Sequence, residues 1–163
     1  MRNNTILRFS SPQTKGELDA VRTLLLEYAN ELQADLCFQN FKAELQNLPG
    51  SYAPPRGALL TAHADGELVG CCAMRPLNTQ AYANACEMKR LFVRPGYRNL
   101  GLGRQLTESI LNSARKTNYS CLLLDSLPEM AAARALYRDL GFVEIPAYCF
   151  NPIEGVHYLM HRL

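Results

Sequence analysis

The chain has 163 residues, 48% of them hydrophobic: one domain's length, residues 1–163, with enough apolar content for a packed core. A formal net charge of +2 and a pI near 8.2 give no case for a nucleic-acid partner. No apolar run is long enough to span a bilayer, and the first ten residues lack the apolar centre of a signal peptide. The expectation is therefore a soluble, cytoplasmic protein without a membrane partner.

In chain order, residues 6–9 read as a short strand. From Lys15 the pattern turns helical, with Leu18, Val21, Leu25, Tyr28 and Leu32 on one face. A second helical stretch carries Phe38 and Phe41 and ends near Leu48-Pro49-Gly50; Pro54-Pro55 is a stiff loop. Residues 59–64 and 68–74 flank Asp65-Gly66, a two-residue hairpin signal. Residues 75–84, containing Pro76, read as a connection, and residues 85–93 as the central strand. A helix over residues 102–116 buries Leu106, Ile110, Leu111 and Ala114. Residues 121–125 form an apolar strand of the kind a parallel sheet buries on both faces. Residues 130–140 are helical and stop at Gly141, and residues 143–144 and 156–163 close the sheet as an antiparallel edge. This order specifies a mixed α/β fold with one right-handed βαβ unit.

Of the six cysteines, Cys71, Cys86 and Cys121 lie in apolar strand-like runs and read as buried small hydrophobes; Cys37, Cys72 and Cys149 complete the set. A reducing cytosol argues against disulfides, and no zinc spacing occurs; His157 and His161 have helical-ligand spacing but lie in a strand-like segment, so no metal is expected.

The central strand runs into Arg94-Pro95-Gly96-Tyr97-Arg98-Asn99-Leu100-Gly101-Leu102-Gly103-Arg104, a basic, glycine-rich turn that opens a helix. Such a turn offers free backbone N–H groups, a favourable dipole and arginines to a phosphate. The bland alternative for the local cluster of Lys89, Arg90, Arg94, Arg98 and Arg104 is a solvated basic face. A dinucleotide fingerprint fails because Leu106 stands where a small residue belongs and the next acidic candidate, Asp125, falls on the following strand; a P-loop lacks its Gly-Lys-Ser/Thr.

What remains, Arg98-x-x-Gly101-x-Gly103 after a strand, resembles the acyl-CoA pyrophosphate loop of the GNAT superfamily of N-acetyltransferases. A second motif, Ala133-Arg134-Ala135-Leu136-Tyr137-Arg138-Asp139-Leu140-Gly141-Phe142, resembles that family's Leu-Tyr-x-x-x-Gly-Phe signature, with the strand 121–125 between the two. Residues 87–93 and Asn151-Pro152 resemble bacterial members acting on unassigned small substrates. The resemblance spans residues 6–163 and implies the acyl-CoA N-acyltransferase fold, a mostly antiparallel mixed sheet flanked by helices. It further implies acetyl-CoA as cofactor, a small-molecule amine as acceptor, and a homodimer.

By the same resemblance, the backbone of Leu100, Gly101, Leu102, Gly103 and Arg104, with Asn99 in the loop, would hold the pyrophosphate, aided by the side chains of Arg98 and Arg104. Leu91, Phe92 and Val93 would pair with the pantetheine amides as an added strand, one N–H facing the thioester oxygen. Met130 and Ala133 would lie beside the cofactor; many members have an asparagine where this chain has Met130, so one polar contact is lost. Glu87 is the candidate base, directly or through a water, against the alternative that it merely pairs with Lys89. Tyr137 is the candidate acid for the leaving thiolate, against a plain core tyrosine beside Leu136 and Leu140. A cysteine nucleophile would fall to Cys149, which has no histidine partner by position. The acceptor side would comprise Tyr28, Phe38, Phe41, Tyr52, Tyr148 and Phe150, equally readable as core rings, with Glu27, Glu31 and Asp35 able to attract a cation. The rival to an enzyme is a non-catalytic acyl-CoA sensor on the same fold, since fold alone does not fix function.

Overall fold

A computed structural model of the protein describes residues 4–32, 36 and 40–163. The elements are β1 (Leu7–Ser10), α1 (Lys15–Leu32), α2 (Phe41–Gln46), β2 (Ala58–Ala64), β3 (Glu67–Leu77), β4 (Ala85–Val93), α3 (Leu102–Lys116), β5 (Cys121–Ser126), α4 (Ala131–Asp139), β6 (Val143–Ile145) and β7 (His157–Arg162). Short 3₁₀ segments occupy Gly50–Tyr52 and Pro95–Leu100. Cys37, Phe38 and Asp35 lie outside the described residues.

The seven strands form one sheet in the order β1-β2-β3-β4-β5-β7-β6. Only β4 and β5 run parallel; the other neighbours are antiparallel. β2 and β3 turn at Asp65 (φ 49°) and Gly66 (φ 86°), where two consecutive positive φ values match the twist of a two-residue hairpin. The α3 side of the sheet buries Cys72, Met74, Met88 and Val93 against Leu102, Leu106 and Ile110. The α1 side buries Cys71, Ala73 and Phe92 against Val21, Leu24, Leu25, Phe41 and Tyr52. β3 thus splits by pleat parity, alternate residues entering alternate cores. Among the described residues no helix is long and apolar enough to cross a membrane.

One expectation needs correction. Residues 75–77 are strand rather than connection: β3 continues to Leu77, pairing Arg75 with Glu87 and Leu77 with Ala85. Pro76 is tolerated there although proline usually marks a break. β6 and β7 pair antiparallel at the edge as expected, with β7 beside β5 and the three-residue β6 outermost.

Leu106 is fully buried at the α3 contact that fixes β4. Leu106→Ala is expected to remove about 2–5 kcal/mol of stability, read as a lowered denaturation midpoint at unchanged slope.

Candidate active site

β4 and β5 pair at three positions only: Ala85 with Cys121, Cys86 with Leu122 and Glu87 with Leu123. Both strands continue, to Val93 and Ser126, while β3 and β7 keep their outer edges. The wedge between them is a cleft of about 570 Å³, mouth included. Residues 88–91 form one wall and residues 124–127 with Met130 the other; Tyr28 and Tyr137 also line it. No ladder bond joins the strands here, so an extended ligand can add to the β4 edge as a strand would.

The β4 wall is kinked. Arg90 has φ +63°, where the β3–β4 register slips between Cys71 and Ala73. A left-handed non-glycine residue in a strand costs on the order of 1–3 kcal/mol. The bulge swaps pleat parity: Met88 faces the α3 core, but so does Val93, and Phe92 joins the α1 core. What holds it is visible. Arg90 forks onto Glu44 (2.8 and 3.0 Å) and lies over the Phe41 ring at 5.0 Å, its side chain 2% exposed.

At the apex of the wedge stand two charged groups on the α1 face. Glu87, 2% exposed, accepts from Arg75 Nε (3.0 Å) and from the Tyr148 hydroxyl (2.6 Å), with Arg75 Nη2 in ion-pair contact at 2.9 Å. Lys89 reaches across the parting strands to Asp125 (3.5 Å), whose second oxygen accepts from Asn151 Nδ2 (3.2 Å). The anticipated Glu87–Lys89 pairing is not what forms. Antiparallel register sets Arg75 opposite Glu87, and the line of the parallel ladder sets Asp125 beside Lys89. Lys89, Asp125 and Asn151 line the cleft; Glu87 lies behind it.

Tyr137, on α4, is 6% exposed and lines the opposite face of the cleft. Burial, then the neighbouring Cys72 thiol, pushes its hydroxyl well above the ordinary tyrosine range, so it stays protonated. The Tyr137 hydroxyl makes no hydrogen bond to any described residue, and the ring packs on Phe142 at 5.5 Å. Ser126 Oγ, also on the cleft wall, is buried without a partner. Such an orphan is costly unless a ligand meets it. Arg134 is buried and donates to the carbonyls of Leu127 (2.5 Å) and Pro128 (2.8 Å), fixing the lip between β5 and α4.

The glycine-rich turn lies at the β4 end of the cleft. Gly101 has φ +74°, a conformation that strains any Cβ, and no side chain caps α3. The first recorded bond of the helix is Gln105 N to Gly101 O (3.2 Å), which leaves the N–H groups of Leu102, Gly103 and Arg104 as the free donors of a helix start. Asn99 and Leu100 are exposed beside them. The arginines are already engaged. Arg98 holds the Val93 carbonyl (2.8 Å) and Glu31 (2.5 Å), Arg104 pairs with Asp139, and Arg94 forks onto Glu27 (2.9 and 2.8 Å). Glu27 and Glu31 are thus partners of the loop rather than free to attract a cation.

Of the other anticipated residues, Leu91 and Met130 line the cleft, Phe92 is buried edge-on to Tyr28 at 5.7 Å, Val93 is in the α3 core, and Ala133 is half-buried on α4. Among the aromatics, Phe41 and Tyr52 are core residues, Tyr52 donating to Glu44 (2.9 Å). Phe150 is 83% exposed. Only Tyr28 and Tyr148 remain near the cleft's polar apex. Cys149 is exposed, yet partial desolvation and the charges of Asp125 and Glu87 push its thiol up to about 11, away from the thiolate a nucleophile needs. His157 bonds Glu144 and His161 the Arg162 carbonyl.

Sequence reasoning missed Arg75, Ser126 and Arg134, and it gave Lys89 and Arg90 only as members of a basic cluster and Asp125 only as a rejected ribose contact. One signal was present. Charges at alternate positions, Glu87 and Lys89, inside a central strand demand buried partners.

Comparison with known proteins adds the following. The Acetyltransferase (GNAT) domain family matches residues 55–144. An uncharacterised N-acetyltransferase of Schizosaccharomyces pombe is 38% identical over 154 residues, covering 94% of this chain and 93% of that protein. The IAA acetyltransferase of Azospirillum brasilense is 36% identical over 146 residues, covering 88% and 87%. An acetyltransferase structure from Streptococcus agalactiae has a TM-score of 0.77 at 18% identity over 96% of this chain and 98% of that one, a likeness of fold.

The kink at Arg90 rests on its buried counter-ion. Glu44→Ala is expected to cost about 3–5 kcal/mol, since a buried guanidinium loses its fork; chemical denaturation measures it.

Proposed function

Because the chain belongs to the GNAT family of acetyltransferases, we propose that it moves the acetyl group of acetyl-CoA to the primary amine of a small or amino-acid-like acceptor, by direct attack with both bound. The observation that carries this reading is the parted β4–β5 edge beside an uncapped, glycine-rich helix start.

The residues fit such a cofactor. Free N–H groups of Leu102, Gly103 and Arg104 suit a diphosphate, the β4 edge suits the amides of an extended arm, and Ser126 Oγ awaits a polar partner. When bound, acyl-CoA supplies an activated acyl carbon: the C–N bond forms, the C–S bond breaks, one proton leaves the amine and one goes to the sulfur. Glu87 is the proton acceptor, reached through the Tyr148 hydroxyl that is bonded to it. Tyr137, its hydroxyl protonated and without a hydrogen-bond partner among the described residues, donates at the sulfur. Backbone donors along β4 stabilise the developing oxyanion, for which the Arg90 kink re-aims the strand. Arg98 would help hold the diphosphate, in exchange for Glu31, its partner at the exposed loop.

Two variants separate the roles. Tyr137→Phe is expected to lower kcat on the order of 10²-fold with acetyl-CoA affinity kept. Gly101→Glu, which sets a strained side chain and a negative charge into the cradle, is expected to abolish binding. Thiol release across a panel of amines and calorimetric titration provide the readouts. Tight binding with no turnover on any amine identifies a sensor instead and overturns the proposal.

A further inference from the structure

The apex of the cleft holds a cation with unspent bonding capacity. The Lys89 side chain is 7% exposed, and an ammonium carries three N–H donors. Among the described residues it makes one hydrogen bond, to Asp125 at 3.5 Å, the longest of the described ion pairs. The other two cations on this face are better served: the half-buried Arg75 by Glu87 at 2.9 and 3.0 Å, the buried Arg90 by its fork onto Glu44. A buried charge left so loosely paired is stabilised by any further anionic oxygen that reaches it.

Location says which anion. Lys89 and Asp125 bridge the strands two residues beyond the last paired position, at the point where the cleft closes. The cofactor's diphosphate belongs at the far, glycine-rich end, so the anion at Lys89 is carried by the acceptor. Asp125, anchored by Asn151, offers the complementary negative charge on the same face. An ammonium and a carboxylate presented together, a few bonds apart, are the charges of a zwitterionic amino acid.

We propose that the acceptor is an α-amino acid, its carboxylate held by Lys89 at the apex of the β4–β5 cleft and its ammonium resting against Asp125 before it loses its proton. This rests on the acetyltransferase reading and names that site's substrate class. Lys89 here determines specificity; it takes no proton and makes no bond to the acyl carbon.

The test uses matched pairs differing only in the carboxylate: phenylalanine with phenethylamine, leucine with isoamylamine, tyrosine with tyramine, and lysine with cadaverine. Each is assayed for acetyl-CoA-dependent turnover and titrated calorimetrically into the CoA-saturated protein. In the native protein at least one amino acid is expected to exceed its decarboxylated partner by about 10–100-fold in kcat/KM, mostly through KM, as a charge-assisted contact is worth. In Lys89→Gln that ratio falls to near one, and in Lys89→Arg, which keeps the charge, it is largely restored. Turnover without preference for the carboxylated partners overturns the proposal while leaving the enzyme intact. So does a preference that survives in Lys89→Gln, or failure of all four amino acids to bind. Carboxylate-selective binding with no turnover sinks the enzyme reading and leaves the acid-anchoring role of Lys89 standing.

Discussion

Everything in this molecule follows from two adjacent parallel strands that bond for three residues and then separate. A β-sheet gains its stability from ladder bonds, and a gap in its middle leaves backbone groups wanting partners. The gap between β4 and β5 is tolerated because each strand is secured on its other side, β4 by β3 and β5 by β7. α3 packs beneath, contacting β2, β3 and β4 through Leu102, Leu106 and Ile110. Where the ladder stops, side chains take over: Lys89 and Asp125 span the opening, and Arg134 pins the lip of β5 through two carbonyls.

Buried charge does a second kind of work. Three cations, the buried Lys89 and Arg90 and the half-buried Arg75, enter one face of β3 and β4, each with its own carboxylate. Ion pairs of this sort seldom add stability over an apolar core. Their distribution makes more sense as positioning. Arg90 and Glu44 hold a kinked backbone, Arg75 and Tyr148 hold Glu87, and the slack pair faces the cleft. The basic loop is arranged alike, with Glu27, Glu31 and Asp139 standing in as anions at the surface.

Most of the scaffold was legible in the sequence because it rests on local signals. Period-two and period-3.6 patterns, the Asp65-Gly66 turn and the glycine stop at Gly141 located nearly every element, and the two motifs fall at the start of α3 and on α4. The losses were tertiary. Pro76 argued for a break that an eleven-residue strand overrode, hiding Arg75 from Glu87. A single-residue bulge leaves no mark on composition, so the parity switch after Arg90 went unseen. Lys89 and Asp125 are thirty-six positions apart and meet only through the parallel register. The aromatic residues stayed open longest: Phe41 and Tyr52 carry the same hydrophobicity in a core as in a pocket, and burial decides for the core.

The central claim is that the cleft between the parted strands and the glycine-rich helix start together hold acyl-CoA. Amide NMR titration of the folded protein with CoA tests it most directly. The account requires saturable shifts concentrated at Leu91, Gly101, Gly103, Arg104, Ser126 and Tyr137, with β1 and the β2–β3 turn undisturbed. Saturable shifts confined to other surfaces, or none at millimolar CoA, would contradict it.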